Sequence, residues 1–209
     1  MSLSRALWEE NRGLALTTLE HPFVRGLGDG TLPIVSFRAY VAQDAFYLES
    51  FARAYALALA YAPDRQSMSE LAGLITGTLE ELDLHDGYAA RWDVALSDAH
   101  PTATTLAYTD FLLTTATLKG VGETCAAMTP CMRLYAYIGR SLADSGYSDE
   151  NPYAEWIKTY ADPGFEALAV RLESLLDRHA EDTPNIHTAY RRAMELEFDF
   201  FEANARATG

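Results

Sequence analysis

The sequence predicts an all-α protein, and two observations support this fold class. Apolar residues recur at helical spacing through most of the 209 residues, as they do at Tyr40, Val41, Phe51, Tyr55 and Leu59. Nowhere does the chain show the alternation of apolar and polar residues that marks a half-buried strand. Because 49% of the residues are hydrophobic, the core can be large. We therefore expect one domain over residues 1–209, a multi-helix bundle of seven or eight helices.

Capping residues and chain breaks set the bounds of the N-terminal helices. Ser2 or Ser4 is the expected N-cap of the first helix, and Ser67 is the expected N-cap of the third. The glycine-rich run 21–30 between the first two helices is predicted to be a connection. The first four predicted helices cover residues 3–20, 37–61, 67–92 and 102–118.

Prolines mark the start of helices in the C-terminal half. Pro163 and Pro184 each stand where a first helical position is expected, which is a favoured place for proline. The polar run 144–152 ends in a proline and is predicted to be a surface loop. The remaining predicted helices cover residues 123–143, 153–160, 163–179 and 184–205.

Charge and cysteine content restrict the partners of the protein. The formal net charge is −14, with 30 acidic and 16 basic residues, which opposes binding to nucleic acid or to an anionic membrane surface. The two cysteines, Cys125 and Cys131, lie about 9 Å apart along one helix, beyond the reach of a disulfide. Without a secretory leader or a membrane span in the sequence, these free thiols indicate a soluble cytoplasmic protein.

An interior proline precedes a possible nucleophile in the fifth predicted helix. Pro130 lacks an N–H group and is expected to kink the helix and free the carbonyl of Ala126. Cys131 follows directly, and Tyr135 lies one turn further along the same face. The alternative interpretation is a buried structural cysteine beside a helix kink, since free cysteine is among the most buried residue types.

Two carboxylates lie on apolar, aromatic helix faces, which is costly for a charged group. Asp44 is flanked by Tyr40 and Tyr47, and Glu197 by Phe198 and Phe200. A buried carboxyl either raises its pKa or binds a partner, and a protonated glutamate can act as a general acid. The alternative for Glu197 is a half-exposed residue at the edge of an amphipathic helix.

Other kinds of active site lack support in the sequence. Glu81 and His85 lie one helical turn apart, but no Glu-x-x-His motif of a di-iron bundle occurs, so an intrahelical pair is the favoured interpretation. We predict no metal site and no cofactor. A nucleophile elbow and a phosphate-binding glycine loop are also absent from the sequence.

Taken together, the motifs resemble the TenA/thiaminase II family over almost the whole chain. The residues that carry the resemblance, in order, are Leu7-Trp-Glu-Glu-Asn, His21-Pro-Phe-Val-Arg-Gly-Leu-x-Asp-Gly-Thr-Leu-Pro33, Gln43-Asp44-x-x-Tyr47, Ala107-Tyr108-Thr-Asp-Phe-Leu, Pro130-Cys131-x-x-x-Tyr135-x-x-Ile-Gly139, Trp156-Ile-x-x-Tyr160 and Glu197-x-x-Phe200-Phe201. The resemblance implies a haem-oxygenase-like all-α fold, a homotetramer and, because of the cysteine after the proline, the cysteine-bearing branch of the family.

The resemblance also implies a thiamin-salvage hydrolase that works without metal or redox cofactor. Its favoured substrate would be 4-amino-5-aminomethyl-2-methylpyrimidine, hydrolysed to hydroxymethylpyrimidine and ammonia, with thiamin cleavage as a related activity. By match to the family motifs, Cys131 is the nucleophile, Glu197 the acid/base at a ring nitrogen and Asp44 the carboxylate that binds the 4-amino side. The substrate-binding residues implied in the same way are Tyr47, Tyr108, Tyr135, Tyr160 and Phe200.

Several alternatives stay open at the level of sequence. Glu195-x-x-Phe198 also fits the final motif, although the pair Phe200-Phe201 favours Glu197. Cys131 has no evident activating base, so the protonation of the substrate itself is the expected activator. The competing functions are a non-catalytic pyrimidine-binding or regulatory protein and a haem or pyrroloquinoline-type oxygen enzyme on the same fold.

Overall fold

The computed structural model describes residues 1–92, 94, 96 and 99–206, and within these it contains ten α-helices and no strand. The all-α prediction is therefore confirmed, although more helices form than the seven or eight expected. They are α1 (Leu3–Glu10), α2 (Arg12–Leu19), α3 (Pro22–Asp29), α4 (Ile34–Ala60), α5 (Arg65–Arg91), α6 (Ala103–Leu118), α7 (Val121–Ser145), α8 (Ala154–Tyr160), α9 (Pro163–His179) and α10 (Pro184–Ala205). None of the described helices is long and apolar enough to cross a membrane.

The extra helices come from the N-terminal 30 residues. The expected helix 3–20 is interrupted at Asn11, which separates α1 from α2. The prediction that 21–30 is a connection was wrong, because this run forms α3. His21 caps it by accepting a hydrogen bond from the backbone N–H of Phe23, and Gly30 ends it in the left-handed region at φ 77°.

Glycines inside α3 allow close packing and do not break the helix. A Cβ atom at Gly26 would lie 3.0 Å from Leu32, and one at Gly28 would lie 2.8 Å from the Leu142 side chain. Glycine-rich runs commonly mark turns, which is why the run 21–30 was predicted to be a connection, and the packing partner of Gly28 lies more than 100 residues away in the chain.

Side chains of Ser2 and Asp64 cap the starts of α1 and α5. Thr102 caps α6. Ser2 is one of the two caps expected for α1, but α5 begins at Arg65 with Asp64 as its N-cap. The hydroxyl of Ser67, the expected cap, instead bonds to Asp64 and lies 2.7 Å from Nε2 of His179. The side chain of His85 lies outside the described part of the chain, so its pairing with Glu81 stays a prediction.

Helices α4, α6, α7 and α10 surround the centre of the bundle, with α8 packed against α7. Pro130 lies within α7 without ending it. Aromatic side chains fill the centre: Phe23, Tyr40 and Phe201 lie with ring centroids 5.5–6.3 Å apart. This large aromatic core holds the few polar groups that face inward.

Helix α8 approaches α7 closely at Gly139. A Cβ atom there would lie 2.4 Å from the carbonyl carbon of Tyr160 and 2.7 Å from the backbone nitrogen of Ala161. Because both obstacles are backbone atoms, no side-chain rotation can make room for a methyl group. Gly139 therefore fixes where Tyr160 enters the core.

We predict that Gly139→Ala destabilises the protein by about 1–3 kcal/mol, the usual cost of overpacking a core. The free energy of unfolding in urea measures this. Gly87→Ala in the interior of α5 is the matched control, since a Cβ atom there meets nothing within 4 Å. That variant should gain up to about 1 kcal/mol from helix propensity alone. Equal effects of the two substitutions would contradict the role given to Gly139.

Candidate functional site

A buried carboxyl group lies at the centre of the bundle. Glu197, on α10, is 1% exposed, and its Oε1 accepts a hydrogen bond of 2.6 Å from the hydroxyl of Tyr108 on α6. Burial raises the pKa of Glu197 to about 8, and the negative charge of Asp44 adds to this rise, whereas the bond from Tyr108 opposes it. At neutral pH the carboxyl is therefore mostly protonated.

The thiol of Cys131 lies against this carboxyl and is also buried. Desolvation raises the pKa of Cys131 well above its ordinary value, and the negative charge of Glu197 raises it further, while a contact with the Tyr47 hydroxyl acts in the opposite direction. Arg133, two residues further along α7, does not stabilise a thiolate at Cys131. Its guanidinium group instead binds Glu173 and Glu166 on α9. The resting thiol is therefore neutral.

Asp44 is the second carboxylate in this region. It lies on α4, is 3% exposed, and its charge contributes to the raised pKa values of Glu197 and of the buried hydroxyls of Tyr40 and Tyr135, for which burial is the largest cause. The neighbouring Gln43 ties this part of α4 to α6. Its Oε1 accepts hydrogen bonds from the backbone N–H of Thr102 and from the Thr105 hydroxyl, at 2.8 and 2.6 Å.

Aromatic rings enclose the carboxyls and the thiol. Tyr47 lies 4.7 Å from Tyr108 and 6.1 Å from Phe200, centroid to centroid. On the other side Tyr135 packs against Tyr160 at 4.8 Å. All eight residues selected from the sequence are buried, and they come together from five helices: α4, α6, α7, α8 and α10.

Two residues of this region were not selected from the sequence. The hydroxyl of Tyr40 lies 3.4 Å from both the Tyr135 hydroxyl and Nε1 of Trp156, at the centre of a polar chain. Its position four residues before Asp44 on one face of α4 was an available signal. Glu81 accepts a hydrogen bond of 2.6 Å from the Tyr160 hydroxyl, and this contact joins positions 79 residues apart, so no local signal existed.

The alternative glutamate of the final motif points elsewhere. Glu195 pairs with Arg191 at 3.2 Å and with Arg192 at 3.8 Å on the surface of α10, and its side chain is 39% exposed. Only Glu197 of the two faces the core. Among the described residues, no three His, Cys, Asp or Glu side chains are arranged as metal ligands.

The chain matches the model of the TENA/THI-4/PQQC family over residues 8–207. It belongs to this family. Among curated members of similar sequence, an aminopyrimidine aminohydrolase of Halalkalibacterium halodurans is 36% identical over 97% of this chain and 95% of its own length. An aminopyrimidine aminohydrolase of Bacillus subtilis is 33% identical over 85% of this chain and 75% of its own length.

Other relatives place the same unit within a longer protein. The mitochondrial bifunctional TH2 protein of Arabidopsis thaliana is 36% identical over 99% of this chain, which spans only 38% of the length of that relative.

Solved structures of the TENA/THI-4/PQQC family share the architecture. A TenA homologue from Pyrococcus horikoshii superposes with a TM-score of 0.90 at 27% identity and complete coverage of both chains. A TenA family transcription regulator from Silicibacter sp. TM1040 gives a TM-score of 0.90 at 28% identity, over 97% of this chain and 96% of its own. The fold is therefore haem-oxygenase-like, as the resemblance implied.

The raised pKa of Glu197 predicts a pH-dependent stability. The folded state retains a proton that the unfolded chain loses above pH 4.5. The free energy of unfolding of the wild type therefore falls as the pH rises from about 4.5 to about 8. The slope is at most about 1.4 kcal/mol per pH unit. The variant Glu197→Gln has no such group. The free energy of unfolding in urea, variant minus wild type, should therefore rise steadily between pH 5 and pH 8. Above pH 8 this difference should stay constant. Parallel pH curves for the two proteins would mean that Glu197 is ionised when folded.

Proposed function

We propose that this protein is an aminopyrimidine aminohydrolase of thiamin salvage. The observation that carries the proposal is the buried Glu197 carboxyl, protonated at neutral pH and lying beside a buried thiol. The names of the relatives from H. halodurans and B. subtilis agree with this activity. The proposed substrate is 4-amino-5-aminomethyl-2-methylpyrimidine, with thiamin cleavage as a related activity.

The composition of the site suits a flat, polar-edged ring. Tyr47 and Phe200 offer faces on which an aromatic ring can stack. Glu197 would donate to a ring nitrogen, and Asp44 would accept from the 4-amino group. Tyr108, Tyr135 and Tyr160 supply buried hydroxyls around the ring edge.

The first chemical step adds the thiol to the ring. Glu197 gives its proton to the ring nitrogen, which draws electrons from the adjacent ring carbon. The sulfur of Cys131 bonds to that carbon, and the thiol proton passes to the Glu197 carboxylate, so Glu197 ends the step protonated again. This route removes the need for a thiolate in the resting enzyme, which the raised pKa of Cys131 disfavours.

The second step exchanges the substituent on the methylene. The electrons of the ring nitrogen return, the bond to the exocyclic ammonium group breaks, and this group leaves with its three protons as ammonia. Water then adds to the methylene, the carbon–sulfur bond breaks, and Cys131 recovers its proton. The sum is aminomethylpyrimidine plus water giving hydroxymethylpyrimidine plus ammonia, in which nothing is oxidised or reduced.

The remaining expectations belong to the same proposal. We propose a cytoplasmic homotetramer that needs no cofactor and binds neither nucleic acid nor membrane. Light scattering on the protein as it elutes from a size-exclusion column measures the mass of the assembly, and we expect the mass of four chains.

Removal of the Cys131 thiol should abolish turnover while leaving the pocket intact. We expect Cys131→Ala to lower kcat for ammonia release by about a thousandfold or more, because the covalent step is lost. It should still bind hydroxymethylpyrimidine in calorimetry.

The second thiol of the chain provides the matched control. Cys125 is buried on the same helix, but the charge that acts on the pKa of its thiol is that of Arg178 on α9, whereas the charge of Glu197 acts on the pKa of Cys131. Cys125→Ala should therefore retain activity. If Cys131→Ala were as active as wild type, the nucleophile assignment would be wrong. If the wild type bound the pyrimidine and released no ammonia, the alternative of a non-catalytic binding protein would replace the enzyme.

The pH profile should report the proton on Glu197. We expect kcat/KM to fall above about pH 8, as the free enzyme loses this proton. In Tyr108→Phe the hydrogen bond that favours the ionised carboxylate is missing, so the fall should move to higher pH. If kcat/KM fell at the same pH in this variant as in the wild type, the fall would report the titration of a group other than Glu197.

A further inference from the structure

A cleft lies outside the aromatic wall of the site. Its volume is about 780 Å³, and it opens between α5, α8 and α9. Its charged lining residues are Glu80, Glu81, Asp162 and Lys158. Three carboxylates against one ammonium group favour a cationic occupant.

Glu81 stands where this cleft meets the buried site. It lines the cleft, and its Oε1 accepts the hydrogen bond of 2.6 Å from the Tyr160 hydroxyl. Tyr160 is only 2% exposed and packs against Tyr135 on its inner side, while Phe165, another lining residue of the cleft, contacts its ring at 5.0 Å. Tyr160 therefore lies between the lining of the cleft and the buried site.

The charge of Glu81 acts across this wall. Burial raises the pKa of the Tyr160 hydroxyl, and the negative charges of Glu81 and Asp44 raise it further. Glu81 also contributes, after burial and Glu197, to the raised pKa of Cys131. Cys131 and Tyr160 thus each lie within the electrostatic reach of both Asp44 and Glu81.

The order of atoms around a pyrimidine ring shows where the leaving group would lie relative to Glu81, and this step rests on the proposed function. With Glu197 at the ring nitrogen, Cys131 at the next carbon and Asp44 at the 4-amino group, the carbon that bears the methylene lies between the last two. The leaving group therefore projects from the ring between Cys131 and Asp44. An alkylamine, with a pKa of about 10, is a cation at neutral pH.

We propose that Glu81 is a specificity-determining residue that recognises the positive charge of the leaving group, with Tyr160 as its hydrogen-bonded partner. The acidic cleft behind Glu81 is then the route by which the released ammonia reaches solvent. A carboxylate here favours a cationic leaving group over a neutral substituent of the same size.

Two ligands that differ only at the leaving position test this proposal. Aminomethylpyrimidine is cationic there and hydroxymethylpyrimidine is neutral, and both can be titrated calorimetrically into Cys131→Ala, in which the amine is not turned over. Adding Glu81→Gln should weaken binding of the amine by about 10- to 100-fold, as expected for a lost charge-assisted contact. Binding of the alcohol should stay unchanged, because the amide oxygen of the substituted side chain can still accept the hydrogen bond from Tyr160.

A charge removed elsewhere serves as control. Glu49, whose side chain is 56% exposed, pairs with Arg53 on the surface of α4, so Glu49→Gln in the same background should change neither affinity. Glu81→Asp keeps the negative charge and should therefore keep a preference for the amine over the alcohol. This variant provides the test if Glu81→Gln does not fold.

Each remaining outcome has one interpretation. If Glu81→Gln weakens both ligands equally, or neither, Glu81 does not read the leaving-group charge and the proposal is overturned. If the Cys131→Ala parent binds neither pyrimidine, the proposed function itself is wrong and the inference fails with it.

Discussion

The burial of the Glu197 carboxyl is the constraint on which the rest of the site depends. A carboxyl in an apolar core is tolerated either when it is paired or when it keeps its proton. Here the hydrogen bonds from Tyr108 and from the Cys131 thiol only partly offset the lost hydration, so the pKa of Glu197 rises to about 8. The chain therefore holds a neutral acid at the centre of the bundle at physiological pH, ready to donate.

The neutral state of Glu197 is matched by the neutral state of the thiol beside it. Each negative charge would raise the energy of the other in this low-dielectric core, and the guanidinium group of Arg133 is engaged on the opposite side of α7. A cation beside Cys131 would favour a permanent thiolate, but it would also favour ionisation of Glu197 and remove the proton that the proposed mechanism gives to the ring nitrogen. The carboxyl and the thiol thus each keep their proton in the resting protein, as the proposed mechanism requires.

Holding polar groups in such a core requires a rigid frame, and several contacts supply it. Gln43 ties α4, which carries Asp44, to the start of α6, which carries Tyr108. Gly139 lets α8 approach α7 closely enough for Tyr160 to reach the site. Tyr40 connects Tyr135 with Trp156. The helices are therefore fixed relative to one another by contacts immediately around the reactive groups.

The sequence predicted the fold class, most helix bounds and the acidic character, because helical spacing, caps and prolines act within a few residues of the chain, and the resemblance to family motifs supplied most of the inward-facing polar residues. It misjudged α3, whose glycines permit packing against Leu32 and Leu142, and it left Glu195 and Glu197 unresolved. Only the tertiary structure decided which glutamate is buried, that Arg133 is engaged by α9, and that Glu81 bonds to Tyr160. Each of these depends on contacts between residues far apart in the chain, and burial of a charge is a property of the assembled core.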